Sequence, residues 1–159
     1  MSRRDLLKTT SVATAGLLAG SATARAKSKR KKGTDPFRYC LNMSTIRGQD
    51  LSITGEVDVA GKAGYDAIEP WLGKLNDYKK NGGSLKDLRR RIEDHGLTVE
   101  SAIGFARWIV DDDKQRAKGL EEAKRDMDLL TQLGAKRIAA PPAGARGTVD
   151  PIAAAERYR

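Results

Sequence analysis

A chain of 159 residues suggests one domain, and its single cysteine, Cys40, excludes an intrachain disulfide. The formal net charge of +9 raises nucleic acid as a partner until the charge is located. Four basic residues against one acid give residues 1–26 a net +3, Lys27-Ser28-Lys29-Arg30-Lys31-Lys32 carries +5, and residues 33–159 keep only +1, which excludes a basic nucleic-acid face on the folded part.

Ser2-Arg3-Arg4-Asp5-Leu6-Leu7-Lys8 is a twin-arginine pattern with a leucine pair behind it. A mildly apolar stretch of small residues follows from Thr9 to Ala24. It is shorter than the roughly 20 apolar residues of a membrane span and rich in Ser, Thr and Gly. Residues 1–26 are therefore expected to be an export signal, cut after Ala24-Arg25-Ala26 so that Lys27 starts the mature chain; Ala22-Thr23-Ala24 is the alternative site. The pattern predicts passage through the twin-arginine export machinery and a periplasmic or secreted protein. Residues 27–36 form a basic linker, solvated or weakly attracted to anionic surfaces.

From residue 37 onward one unit recurs: a short apolar run, then a charged amphipathic run, joined by glycine. Phe37–Met43 alternates and is predicted as strand 1. Ser44–Gly55 reads as a loop and Glu56–Ala63 as a short helix closed by Gly64. Ala67–Trp71 is predicted as strand 2 and Leu72–Gly83 as a loop. Ser84 caps a helix with Leu85, Leu88 and Ile92 on its apolar stripe, ending at His95-Gly96. Leu97–Phe105 is predicted as strand 3 and Ala106–Asp113 as a loop. Lys114–Leu133 is the longest helix, with an expected stripe of Leu120, Ala123, Met127 and Leu130 and Gly134 as its stop. Lys136–Pro141 is predicted as strand 4 and Gly144–Thr148 as a loop. Asp150-Pro151 is an N-cap with proline at the first helical position, opening a last helix.

Strands alternating with helices predict parallel β-α-β units with every strand's C-terminal end on one face. Three and a half such units are about half of a (β/α)8 barrel, so the expected fold class is α/β, the N-terminal half of a TIM barrel over residues 37–159. On this reading the chain is the front of a longer enzyme. The absence of G-x-G-x-x-G after strand 1 disfavours a dinucleotide-binding sheet.

Ala63-Gly64-Tyr65-Asp66-Ala67-Ile68-Glu69-Pro70 resembles the AGYDGIE segment at strand 2 of the xylose isomerase-like TIM barrels. His95-Gly96-Leu97-Thr98-Val99 resembles the xGLxV approach to their strand 3, and Leu129–Ala140 resembles the xxxLGAxxI approach to strand 4. That superfamily includes sugar phosphate isomerases and epimerases and the AP-endonuclease branch. The resemblance implies a sugar or polyol substrate and isomerisation or epimerisation with a divalent metal (Mn, Mg, Co or Zn), carboxylates moving the proton. It also implies that the Glu, Asp and His metal ligands lie mostly on strands 5 to 8, so no metal ligand and no catalytic residue is assigned in this chain. The DNA-repair branch has a histidine at the end of strand 3, where this chain has Ser101-Ala102-Ile103-Gly104-Phe105. A non-catalytic carbohydrate-binding barrel, or a lyase or hydrolase on the same scaffold, are the alternatives.

Four residues are substrate-binding candidates. Glu69 lies at the C-terminal end of strand 2, where barrel chemistry is found, and either faces substrate or pairs with a nearby Lys or Arg. Trp71 and Trp108 follow strands 2 and 3 and either wall a sugar pocket or pack under loops. Asn42 either donates to substrate or caps the following loop. Phe105 is expected in the core, and Cys40 is expected as a buried small hydrophobe. Asp111-Asp112-Asp113 is read as the acidic start of the long helix, and His95 as a helix-end imidazole facing free carbonyls. Pro141-Pro142 ends strand 4. The open sheet edges of a half-barrel predict self-association.

Overall fold

The computed structural model describes residues 36–145 and 149–158. The twin-arginine segment, the expected cleavage site and nearly all of the basic linker lie outside the described residues, as does part of the expected 144–148 loop.

The elements run β1 (Cys40–Asn42), a 3-10 helix (Met43–Gln49), α1 (Ile53–Ala63), β2 (Ala67–Glu69), α2 (Leu72–Lys80), α3 (Leu85–Asp94), β3 (Thr98–Val99), α4 (Asp113–Gln132) and α5 (Pro151–Tyr158). The three strands form one parallel sheet in the order β1-β2-β3, with Cys40 opposite Ala67, Asn42 opposite Glu69 and Ala67 opposite Thr98. This is an α/β sheet of a partial TIM barrel that is not closed. The expected strand 4 is reduced to one parallel bridge, Ile103 to Ala139, made by Gly104 N–H donating to Ala139 O and Ala139 N–H donating to Ala102 O, both at 2.8 Å.

Alternation along the strands sorts the residues onto two faces. Leu41, Met43, Ile68 and Val99 turn toward the helices and are buried. They pack with Val57 and Ala60 of α1, Leu75 of α2, Leu88 and Ile92 of α3 and Leu129 and Leu130 of α4. Cys40, Asn42, Glu69 and Thr98 hold the alternate positions, on the helix-free face. Cys40 is accordingly exposed, not the buried hydrophobe expected from its apolar neighbours.

The helix starts follow local capping chemistry. Ser52 accepts from Gly55 N at 3.2 Å, so α1 begins a turn before Glu56 and shortens the expected loop. Ser84 accepts from Asp87 N at 3.2 Å and Asp150 from Ala153 N at 2.8 Å, as their sequences imply, and Asp112, in the acidic start of the long helix, accepts from Gln115 N at 2.7 Å. Gly64 and Gly134 take the left-handed conformation that stops a helix, with φ of +84° and +82°.

Two helix assignments are corrected. Leu72–Lys80, expected to be a loop, is α2. It carries no side-chain cap at Trp71 to announce it, and it is held from outside by burial of Leu72 and Leu75. The buried side of α4 is Gly119, Asp126, Leu129 and Leu130, while Leu120 and Met127 of the expected stripe are exposed. The rotation follows from Gly119, where a Cβ would lie 2.5 Å from the Arg107 carbonyl carbon, so α4 lies against the backbone of the preceding loop on that side.

Glu56 is buried in this core, and its Oε1 pairs with Lys74 Nζ, which also donates to Leu51 O at 2.7 Å. At the other end of the strands, Arg91 makes two bonds to Asp58, at 2.8 and 2.6 Å, tying α3 to α1. His95 joins the same carboxylate through Nε2 at 3.0 Å, where free helix carbonyls were expected as its partners.

Candidate functional site

The C-terminal ends of β1 and β2 place Asn42 and Glu69 directly across from each other. Asn42 caps the following segment and also meets Glu69. Its Oδ1 accepts from Ser44 N at 2.9 Å and caps the 3-10 helix, and its Nδ2 donates to Glu69 Oε2 at 2.5 Å. Glu69 is therefore held by a neutral amide, and among the described residues no Lys or Arg pairs with it. Among the described residues no group donates to its other oxygen.

Pro70 ends β2, and Trp71 follows it, 39% exposed. Trp71 stacks on Phe105, with ring centroids 6.3 Å apart and planes at 29°. Phe105 is 56% exposed, not core as expected. Its position follows from a slip in the alternation after β3. Leu97 and Val99 are buried, then two residues, Glu100 and Ser101, separate Val99 from the next buried residue, Ala102. One extra residue moves every later side chain to the opposite face. Gly104 and Ala106 join the buried side, while Ile103 and Phe105 come round to Asn42 and Glu69. Asn42, Glu69, Pro70, Trp71, Ile103 and Phe105 line one shallow pocket.

Trp108 is not part of this wall. Its indole N–H donates to Pro141 O at 3.2 Å, and its ring meets Tyr158 of α5 at 5.8 Å.

Glu100 was not singled out by sequence reasoning. The alternation of Thr98 and Glu100 in the expected strand 3 was the available signal. Thr98 Oγ1 donates to Glu100 Oε1 at 2.8 Å and accepts from Arg38 Nη2 at 3.2 Å, and Arg137 reaches Glu100 Oε2 at 3.3 Å. The helix-free face is thus polar. The Cys40 thiol on it is pushed up from its ordinary range, by partial loss of water and then by the charges of Glu69 and Glu100.

Asp111-Asp112-Asp113 is consumed by structure: Asp112 caps α4, Asp113 pairs with Arg116, and Asp111 accepts from Arg157 of α5 at 2.6 Å. Among the described residues no group of three or more His, Cys, Asp or Glu is placed to hold a metal ion. The residues present therefore do not fit a complete metal centre. Among the described residues, no helix is long and apolar enough to cross a membrane.

Residues 57–159 match the family described as xylose isomerase-like TIM barrel. No curated protein sequence matches the chain. Among solved structures it is similar to the IolI protein with a binding zinc atom, at 24% identity and a TM-score of 0.63, over 72% of this chain and 41% of that one. It is similar to D-psicose 3-epimerase in the presence of D-fructose at 18% identity and a TM-score of 0.60, over 76% of this chain and 44% of that one. It is also similar to the probable 3-DHS dehydratase AsbF from Bacillus anthracis, at 18% identity and a TM-score of 0.57, over 65% of this chain and 38% of that one. Identities this low show a shared fold alone, and the chain spans less than half the length of each of these structures. By its matched segment, the chain belongs to the xylose isomerase-like TIM barrel family.

Proposed function

We propose that this chain is part of a divalent-metal-dependent sugar or sugar-phosphate isomerase or epimerase. The observation that carries this reading is the Asn42–Glu69 pair at the C-terminal strand ends, beside the exposed Trp71–Phe105 stack. That end of the strands is where barrel enzymes build their sites. A carboxylate oriented by an amide accepts a hydrogen bond from a sugar hydroxyl, and aromatic rings pack against C–H faces. The family match supports the scaffold, and sugar epimerase chemistry is named for one structure of the same fold. In this reading the described residues contact substrate, and among them no group of three or more His, Cys, Asp or Glu is placed to hold a metal ion.

The test is turnover by the protein, as expressed from its own gene, on a panel of ketoses, aldoses and their phosphates. It is run in heavy water with Mn²⁺, Mg²⁺, Co²⁺ or Zn²⁺ added. The expected result is a new isomer with deuterium at the carbon beside the carbonyl. Loss of water from the product would instead identify a lyase, and binding without turnover a non-catalytic barrel.

The reading includes a place. Arg3-Arg4 followed by Leu6-Leu7 supports export through the twin-arginine machinery to the periplasm or beyond. Replacing both arginines by lysine is expected to leave the protein in the cytoplasm. Unchanged export of that variant would refute the route.

A further inference from the structure

We infer that the wall built by Trp71, Phe105, Ile103, Asn42 and Glu69 selects an unphosphorylated sugar or polyol, laid with a C–H face on the aromatic stack. The inference rests on the sugar reading proposed above and narrows its substrate class.

Three features of the wall carry it. The first is its charge. Of the six lining residues, Glu69 is the single ionisable one, and none is Lys, Arg or His. A phosphate brought to this wall would meet a carboxylate and no counter-charge among the lining residues, a repulsion that salt screens at so exposed a surface.

Three basic residues are also engaged elsewhere. Lys74, in the first turn of α2 just beyond Trp71, is paired with Glu56 and bonded to Leu51 O. Arg38 and Arg137 on the helix-free face bind Thr98 and Glu100.

The second feature is shape. Trp71 and Phe105 are large, exposed and stacked on one another, at the C-terminal ends of neighbouring strand segments. Large exposed rings held together on a monomer surface mark a contact surface. The face of a ring suits the C–H face of a pyranose or of an extended polyol.

The third feature is how Phe105 arrives there. Regular alternation from Val99 would place it with the buried side chains, and the extra residue at Glu100-Ser101 turns it outward. Such insertions re-aim side chains beside active sites. Across the pocket from these rings, Glu69 holds an oxygen to which no described group donates, matched to a hydroxyl that donates.

The chain contains two tryptophans, Trp71 and Trp108. With Trp108→Phe, Trp71 is the only indole that this chain contributes, and its emission reports directly from the wall. We would titrate this protein with D-fructose and with D-fructose 6-phosphate, following indole emission and saturation transfer to the sugar C–H protons. D-fructose is expected to change the emission and to receive transfer at its C–H protons. The 6-phosphate is expected to bind at least about tenfold more weakly, and that gap should narrow at high salt. Adding Phe105→Ala is expected to weaken D-fructose binding about tenfold while leaving the far-ultraviolet circular dichroism unchanged.

Equal or tighter binding of the phosphate would overturn the inference and leave the sugar reading standing. D-fructose binding that ignores Phe105→Ala would overturn the platform. Binding of neither sugar would also overturn it, and the separate turnover panel then decides whether the sugar reading falls too.

Discussion

Asn42 and Glu69 face each other across β1 and β2, and the Asn42 amide donates to the Glu69 carboxylate at 2.5 Å. One side chain thereby caps the 3-10 helix and holds the acid at the mouth of the sheet. Asn42→Ala removes a hydrogen bond to a charged group and should cost about 1.5–3 kcal/mol by chemical denaturation, with weaker sugar binding. Asn42→Asp should cost more, because it sets two carboxylates against each other. An Asn42→Ala protein of unchanged stability would show that the pair is not formed in solution.

The buried partnership of Glu56 and Lys74 joins α1 to α2. Lys74→Met leaves the Glu56 carboxylate buried without its cation, and the expected loss is about 3 kcal/mol or more. Adding Glu56→Leu should recover much of it, since the desolvation penalty goes with the charge. If the double variant is no better than Lys74→Met in urea melts, the pair does not act as a unit.

Asp58 supplies a pH signature. Its carboxyl is lowered from 3.8 to about 2, above all by the hydrogen bond from Arg91, which outweighs the opposing loss of water, with a further lowering by the His95 hydrogen bond. A depressed folded pKa adds stability that is complete above the unfolded value and is lost as pH falls through the folded one. Wild type should therefore exceed Asp58→Asn in stability by a constant amount above about pH 5. The gap should shrink below pH 4 and close near pH 2. Urea titrations across this range check the shape; a gap that persists unchanged to pH 2 would contradict it.

Two glycines should respond in opposite directions to alanine. At Gly119 a Cβ meets Arg107 carbonyl carbon and oxygen at 2.5 and 2.6 Å, and backbone cannot swing aside. Gly119→Ala should cost about 1–3 kcal/mol. At Gly73, inside α2, nothing lies within 4 Å of a Cβ, so Gly73→Ala should stabilise by up to about 1 kcal/mol. Thermal melts of the two variants give the signs.

Leu120 and Met127 lie exposed on α4, and Met127 borders an open groove with Leu130, Ala135 and Ile138. Together with the unclosed sheet, this surface should drive residues 27–159 to self-associate in sedimentation velocity runs, more strongly at higher concentration. Met127→Lys should shift the distribution toward monomer. A monomer at every concentration would show that the groove and edges are covered in some other way.

Much of the fold was legible because short-range chemistry dictates it. The Ser84 and Asp150 caps, the Gly64 and Gly134 stops and the parallel β-α order each follow from a few adjacent residues. Helix α2 was not legible, because its start has no capping side chain and its stability comes from Leu72 and Leu75 entering a core built by distant segments. The true buried side of α4 was hidden for a similar reason. Periodicity finds an apolar stripe in Leu120 and Met127, but it does not tell which side meets the rest of the molecule.

The candidate site divides the same way. Its residue types were in the sequence: an acid at the end of strand 2, an amide at the end of strand 1, and a tryptophan after the proline. Sequence alone determined the strand order, the shared end at which these residues gather, and the location of the excess positive charge in the first 32 residues. Tertiary structure decided the rest. It bound Asn42 to Glu69, took Trp108 away to Pro141 and Tyr158, and brought Phe105 from an expected core position onto Trp71. The physical reason is that caps and turns depend on neighbours a few residues away, whereas register and the face a strand presents depend on partners tens of residues away. A single extra residue at Glu100-Ser101 reverses that face without any local signal that it has done so.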